Sequence, residues 1–259
     1  MTQGSLRVAF FLGGLFTLLS WELVKPHHPP AAPRWRRWLA NLGLALINGS
    51  VVSALCIMCI TLAERRAAPW RYGLFERLSV PRGIRLGLEI LVLDLLVYLL
   101  HRLYHRAPFF WRFHQVHHTD LDLDVTSASR FHLGEVFSSA AAKLAAVQSL
   151  GISPTGLVAF EISLLLAAQF QHANILLPRL LERSLWWTFV PPAMHRVHHH
   201  PTPEMNSNFG TLVTAWDRLL GTLRRSPVEP SAFGLPELRN EEKLGLWTLL
   251  QMPFRRGDR

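Results

Sequence analysis

The sequence predicts an all-α integral membrane protein: a helical bundle of about four transmembrane helices with a histidine-rich cap on one side. Three observations predict it. Hydrophobic residues make up 49% of the 259-residue chain and charged residues only 17%, a balance too apolar for an ordinary soluble domain. The apolar residues gather into runs long enough to cross a bilayer, separated by proline and arginine. Eleven of the thirteen histidines fall between positions 101 and 200, and they cluster at spacings that place several on one helix face.

The elements follow in order. A first apolar run covers Val8 to Val24. No small-residue cleavage site follows it and more apolar runs do, so it reads as a retained helix and not a signal peptide. Pro26, Pro29, Pro30 and Pro33 then break the chain. A second run extends from Trp38 to Ala63. Its Cys56 and Cys59 form a CxxC without a second pair, and read as small apolar residues of a membrane helix. Residues 73–80 suit a short interfacial helix. A third run begins near Ile84 and continues through Leu100 into His101 and His105; Asp94, Tyr98, His101 and His105 share one stripe of it. The fourth hydrophobic region, Val136 to Leu177, is divided by Gly151 and Pro154 into a helical hairpin. Residues 178–225 are polar enough to lie outside the bilayer. Glu242 to Phe254 suits a surface helix, and Arg255 to Arg259 a disordered tail. The organisation expected is therefore N-terminal membrane helices over 1–83, a histidine-bearing region over 84–225, and a C-terminal helix and tail over 226–259.

Net charge is +9, almost all from arginine. Flanking apolar spans, such charge points to a membrane surface and not to nucleic acid. Loop 25–37 and the histidine clusters fall on one face if the first three runs all cross. Lys25, Arg34, Arg36, Arg37, Arg102, Arg106, Arg112 and Arg130 accumulate there, against six arginines in the opposite connection. The balance places the cap in the cytosol, and arginine dominance without a dilysine tail leans towards a bacterial inner membrane.

The histidines form three clusters, His101-x3-His105, His114-x2-His117-His118 and His195-x2-His198-His199. On a helix the HxxHH spacing lets two rings face one metal ion and a third turn to a neighbouring ion. His172 is a plausible ninth donor, and nine donors would supply two metals with four or five each. Neutral imidazoles suit iron, zinc or copper. A structural zinc needs only four ligands. The HExxH hydrolase pattern is absent, since residue 196 is arginine, and so are the Glu-x-x-His pairs of a carboxylate-rich di-iron bundle. A histidine-rich di-iron centre that activates oxygen remains.

At these residues the chain resembles the fatty acid hydroxylase and sterol desaturase superfamily. The resemblance runs from Asp94 to Thr222. It includes Asp94-x3-Tyr98-x2-His101-Arg102-x2-His105, Trp111-Arg112-x-His114-x2-His117-His118, Arg130-Phe131-His132-Leu133-Gly134-Glu135, Gln171-His172-x-Asn174, His195-x2-His198-His199, and Asn208-Phe209-Gly210 with Trp216-Asp217-Arg218 and Gly221-Thr222. Two residues depart from the family's pattern: Leu133 stands where proline is usual, and Thr119 where serine is commoner. The resemblance implies membrane helices below a cytosolic di-metal cap. It also implies hydroxylation of a fatty acyl, sterol or related lipid with molecular oxygen and two external electrons. Carried over by position, His101, His105, His114, His117, His118, His195, His198 and His199 would be ligands of two iron ions, or of zinc as purified, and His172 fits the same role. Desaturation and ether-lipid cleavage begin with the same hydrogen abstraction and stay open. A membrane metal transporter is the non-enzymatic alternative, though it would need ionisable residues lining a path across several spans.

Around the ligands, Asp94 and Glu135 are expected to hydrogen-bond histidines and fix their tautomers, or else to pair with Arg102 or Arg130; Tyr98 and Asn174 join them beside the site. His132 reads as a supporting or structural residue with a ligand role left open. His200 should point away, and His27 and His28 read as loop residues. Asp217 suits a helix anchor. The Asp120, Asp122, Asp124 alternation lacks the glycine and closing glutamate of a calcium loop, and reads as a solvated loop. The chain has no GxGxxG fingerprint and no CxxCH, so electrons are expected from a separate ferredoxin, cytochrome or reductase. A basic rim of Arg102, Arg106, Arg112 and Arg196 would dock it.

Overall fold

A computed structural model describes residues 3–30, 34–65, 73–77, 79–201, 203–225 and 233–255. The chain is all-helical: among these residues no sheet forms, and only two isolated bridges, Pro26–Ile175 and Phe189–Val213, pair extended backbone. The Cys56 and Cys59 side chains and residues 256–259 lie outside what is described.

Helix α1 spans Gln3–Val24 and α2 spans Trp35–Arg65. Within them Gly4–Val24 and Trp35–Leu55 are long and apolar enough to cross a membrane. Their large side chains are largely bare, with Leu12 56%, Phe16 75% and Leu46 75% exposed. A soluble core helix would bury such residues; an apolar face of this extent calls for lipid. The short α3, Leu74–Arg77, precedes α4, Arg82–Arg106. Although 25 residues long, α4 is punctuated by Arg82, Arg85, Glu89, Asp94, Arg102 and Arg106. The hairpin halves α6 and α7, Leu133–Leu150 and Pro154–His172, are 18 and 19 residues long. Neither α4 nor the hairpin joins the two helices that qualify by length and composition.

Local chemistry sets the hairpin. Gly151 takes φ 71° and ends α6, its N–H reaching Val147 O. A Cβ on Gly73 would come within 2.5 Å of the Gly151 backbone, so this crossing needs glycine. Ser153 then caps α7 by accepting from Gly156 N, with Pro154 in the first turn. Phe75, Leu93, Val147, Ile152, Leu157 and Phe160 form the core between α3, α4, α6 and α7. Ala107 breaks α4 from α5, Pro108–His118. Helices α8 (Arg179–Thr188), α9 (Pro192–His199) and α10 (Ala215–Leu219) build the cap. The C-terminal α11, Leu246–Gln251, closes a second core with Ala40, Leu44 and Val116.

The ends of α1 and α2 meet the cap. Glu22 accepts from Val125 N and Asn174 N, each at 2.7 Å, and His27 N donates to Asn174 O. The solvated loop expected over Asp120–Asp124 is a buried ion cluster instead. Arg37, only 5% exposed, binds Asp120 at 2.5 Å and Asp124 at 3.1 Å, with Asp122 Oδ2 at 3.8 Å; its Nη2 also donates to Asp122 O. Asn41 and Ser127 donate to Asp120 as well. Burial drives the Asp120 carboxyl up, but the Arg37 and Arg130 guanidiniums overcome it and hold it well below the usual range. Three buried carboxylates share one main cation, so removing it is costly. Arg37→Met should cost about 3–5 kcal/mol, and Asp120→Asn less, because one charge of three is lost with little volume. Thermal unfolding in detergent measures the difference; equal losses would make the cluster a packing feature only.

Candidate metal centre

Nine histidines converge beneath the cap. His101, His105, His114, His118 and His198 form one group, and His117, His172, His195 and His199 a second. In each, the ring nitrogens offered lie within 4.8 Å of one another. The helical spacing explains the division. His114 and His118, one turn apart on α5, face the first group, while His117 turns to the second. On α9 the split is reversed: His195 and His199 face the second group and His198 the first. Each HxxHH box therefore sends rings to both groups, while His101 and His105 on α4 both serve the first. The groups abut, with the His118 and His199 rings stacked at 4.5 Å.

Tautomers follow from the outer partners. A carbonyl or carboxylate oxygen only accepts, so Nδ1 must carry the proton where it meets one. This holds for His101 with Phe209 O (3.0 Å), His198 with Ser207 O (2.8 Å), His114 with Glu135 Oε1 (2.9 Å), His117 with Arg130 O (3.3 Å) and His172 with Ala168 O (2.7 Å). Burial, reinforced by neighbouring imidazoles, lowers the pKa of His117, His118, His195, His198 and His199 well below the ordinary value. A neutral ring protonated at Nδ1 presents a bare lone pair at Nε2.

Two of those lone pairs, on His117 and His172, point at each other. His117 Nε2 and His172 Nε2 are 3.1 Å apart, and neither has a proton to share. His172 Nε2 also lies 3.0 Å from His195 Nε2 and 3.2 Å from His199 Nε2. In the first group His114 Nε2 sits 3.0 Å from His105 Nε2 and 3.2 Å from His118 Nε2. The buried Nε2 atoms of His101 and His198 have no hydrogen-bond partner. Converging lone pairs repel unless a cation lies between them. With metal–nitrogen bonds of about 2.0–2.1 Å, adjacent ligand nitrogens fall about 2.9–3.4 Å apart, the range seen here. The donor set fits two metal sites of nitrogen type, suited to iron, zinc or copper.

The supporting residues divide. Glu135 reaches His114, as expected of a carboxylate beside the site. Asp94 reaches no histidine and neither arginine: it accepts from Leu212 N, Val213 N and Trp216 Nε1. Tyr98 pairs with Thr222 Oγ1 at 2.7 Å. Asn174 binds the backbone of His28 through Nδ2 and Oδ1. These three stitch cap segments to the helices and contact no ring of the two groups by hydrogen bond. His132 caps α6 through Gly134 N and donates to Leu250 O, outside both groups. Asp217 does more than anchor a helix: it accepts from Phe209 N (2.9 Å), Gly210 N (2.8 Å) and Thr222 Oγ1 (2.6 Å). It thus fixes the loop whose carbonyls orient His101 and His198. Asn208, at φ 53°, braces the same loop through Met194 O and Arg224 O.

The fatty acid hydroxylase family model matches residues 86–222, the stretch that carries all nine rings. The chain belongs to the fatty acid hydroxylase family. It is 30% identical to the ornithine lipid hydroxylase OlsE of Rhizobium tropici over 185 residues, 69% of this chain and 53% of that protein. Cholesterol 25-hydroxylase of Rattus norvegicus is 27% identical over 208 residues, 77% of this chain and 65% of that one. Alkylglycerol monooxygenase of Xenopus tropicalis is 30% identical over 136 residues, 52% of this chain and 29% of that one. The match thus spans about half to two thirds of the length of the first two relatives. No solved structure matches the chain.

In this family member the expected basic rim is incomplete. Arg106 is exposed and Arg102 and Arg112 half-buried, but Arg196 is only 8% exposed and faces Glu182 at 3.8 Å. The residues missed by sequence reasoning are Glu22, Arg37 and Asn41. Glu22 and Asn41 are lone polar groups at the cap end of apolar runs, and that was the available signal; Arg37, in a run with Arg34 and Arg36, carried none of its own.

Proposed function

We propose that this chain is an oxygen-dependent di-iron membrane oxygenase that hydroxylates a C–H bond of a lipid, with two electrons from a separate protein donor. The observation that carries the reading is the pair of abutting imidazole groups, with the bare Nε2 lone pairs of His117 and His172 facing each other at 3.1 Å. His101, His105, His114, His118 and His198 would hold one ion, and His117, His172, His195 and His199 the other. Bound there, redox-active metal would supply the stepwise reduction of molecular oxygen, one oxygen atom entering the lipid and the other leaving as water. The chain's own part is orientation and exclusion. Glu135, Phe209 O, Ser207 O, Arg130 O and Ala168 O hold the Nδ1 protons of His114, His101, His198, His117 and His172, and burial keeps bulk water from the rings other than His101 and His105, which are half-buried. The named relatives act on ornithine lipid, cholesterol and alkylglycerol, which supports a lipid substrate entering from the bilayer.

The hairpin α6–α7 and α4 would sit in the membrane beside α1 and α2, with the cap in the cytosol of a bacterial inner membrane. The electron donor would be a ferredoxin, cytochrome or reductase, docking near Arg106. Lipid mass spectrometry of cells with and without the gene tests the reaction. A product heavier by one oxygen atom is expected. A product lighter by two hydrogen atoms would replace hydroxylation with desaturation, and an unchanged lipid profile under aerobic growth would sink the proposal.

A further inference from the structure

Helix α8 is amphipathic and buries no side chain fully. Three contacts fix its orientation. Glu182 faces Arg196 of the cap helix α9. The Arg218 guanidinium lies 4.3 Å over the Trp187 ring, and its Nη2 donates to Trp186 O. Leu185 packs against the buried cluster of Ala173, Ile175 and Leu177, which Leu18 and Phe170 also cover, and Leu18 belongs to the candidate span Gly4–Val24. So α8 runs beside the cap end of that span, cap on one flank and span on another. The side left over carries Leu180 at 79% and Leu181 at 46% exposure, with Phe189 at 57% just beyond the helix. Beside it Arg179 and Arg183 are exposed, as is Arg225, whose guanidinium lies 4.8 Å over the Trp186 ring.

We propose that α8 is an in-plane anchor in the cap-side leaflet: Leu180 and Leu181 sink among acyl chains, and Arg179 and Arg183 meet anionic lipid phosphates. Leucine and tryptophan with flanking arginine is the chemistry of interfacial helices, and each arginine gains from an anionic surface. Because Leu185 and Leu18 cover one buried cluster, α8 lies at the level where the span leaves the bilayer, which favours lipid over a soluble partner. Because α8 joins the helices bearing His172 and His195, the anchor also sets the height of the centre above the leaflet. The inference rests on the membrane reading proposed above.

Single cysteines at Leu12, Leu180, Leu181 and Arg183, in a Cys56→Ser/Cys59→Ser background, would carry a nitroxide. The full chain is placed in vesicles of phosphatidylcholine with phosphatidylglycerol, and collisions with oxygen and with a water-soluble nickel chelate are compared. Labels at 180 and 181 should favour oxygen, the label at 183 nickel, and the label at 12 should report the greatest depth. Pure phosphatidylcholine should make positions 180 and 181 shallower. Ser184, exposed on the same side, takes the label if a leucine variant does not fold. Aqueous labels at 180 and 181 with a buried label at 12 would overturn the anchor alone; an aqueous label at 12 would overturn the membrane reading itself. Dipolar broadening at 180 would mean a second copy covers the face, and no response to lipid charge would overturn the phosphate contact.

Discussion

Replacing His172 with leucine should cut bound metal from the proposed two ions to about one per chain and lower the proposed lipid oxidation by about 100-fold or more. Its Nε2 lies within 3.2 Å of the Nε2 atoms of His117, His195 and His199, so it is the hub of the second group. Loss of an outer partner already costs about 10–100-fold in metal affinity or activity, and loss of a donor should exceed that. The same change should not destabilise the metal-free chain. Without metal, the His172 lone pair faces that of His117 with no proton between them, and a buried apolar side chain of similar size removes that repulsion. Metal analysis, with melting temperatures taken before and after chelation, separates the two effects. Wild-type iron content in His172→Leu would leave the second group without its proposed role.

The boxes were legible because their geometry is local. Spacings of three and four residues put His114, His117 and His118 on adjacent faces of one helix, and no tertiary knowledge was needed to see that one ring must turn from the other two. The hairpin break was legible for the same reason, since Gly151 and Pro154 act on their own backbone. Partners distant in sequence were not legible. Asp120, Asp122 and Asp124 look like a solvated run until Arg37, more than eighty residues earlier, folds over them. Asp94 lies on the histidine stripe of α4, yet its carboxylate is claimed by backbone N–H groups near residue 212. Arg196 sits between two box histidines and was expected on the surface; Glu182 and the packing of α8 draw it in. In each case a local pattern identified the element, and a remote segment decided which way the polar atom turned.

Asp217→Ala should damage the first group while sparing the second, although Asp217 touches no histidine. Its carboxylate takes three hydrogen bonds, from Phe209 N, Gly210 N and Thr222 Oγ1, and bonds to a charged acceptor contribute about 1.5–3 kcal/mol each. They hold a loop that gives Phe209 O to His101 and Ser207 O to His198. The approach is close: a Cβ at Gly210 would come within 2.7 Å of Asp217 Oδ2, so glycine there and aspartate opposite are one device. When the loop relaxes, two of the five first-group rings lose the partner that fixes tautomer and angle. Metal affinity at that group should fall about 10–100-fold, leaving about one ion per chain at limiting metal and recovering towards two in excess. Asp217→Asn should rescue poorly, because its amide nitrogen would oppose a donor it cannot accept from. A purely structural role predicts a different pattern: a lower melting temperature with both ions still held at wild-type affinity by the folded fraction. Metal titration of the folded protein therefore decides between a positioning residue and a simple strut.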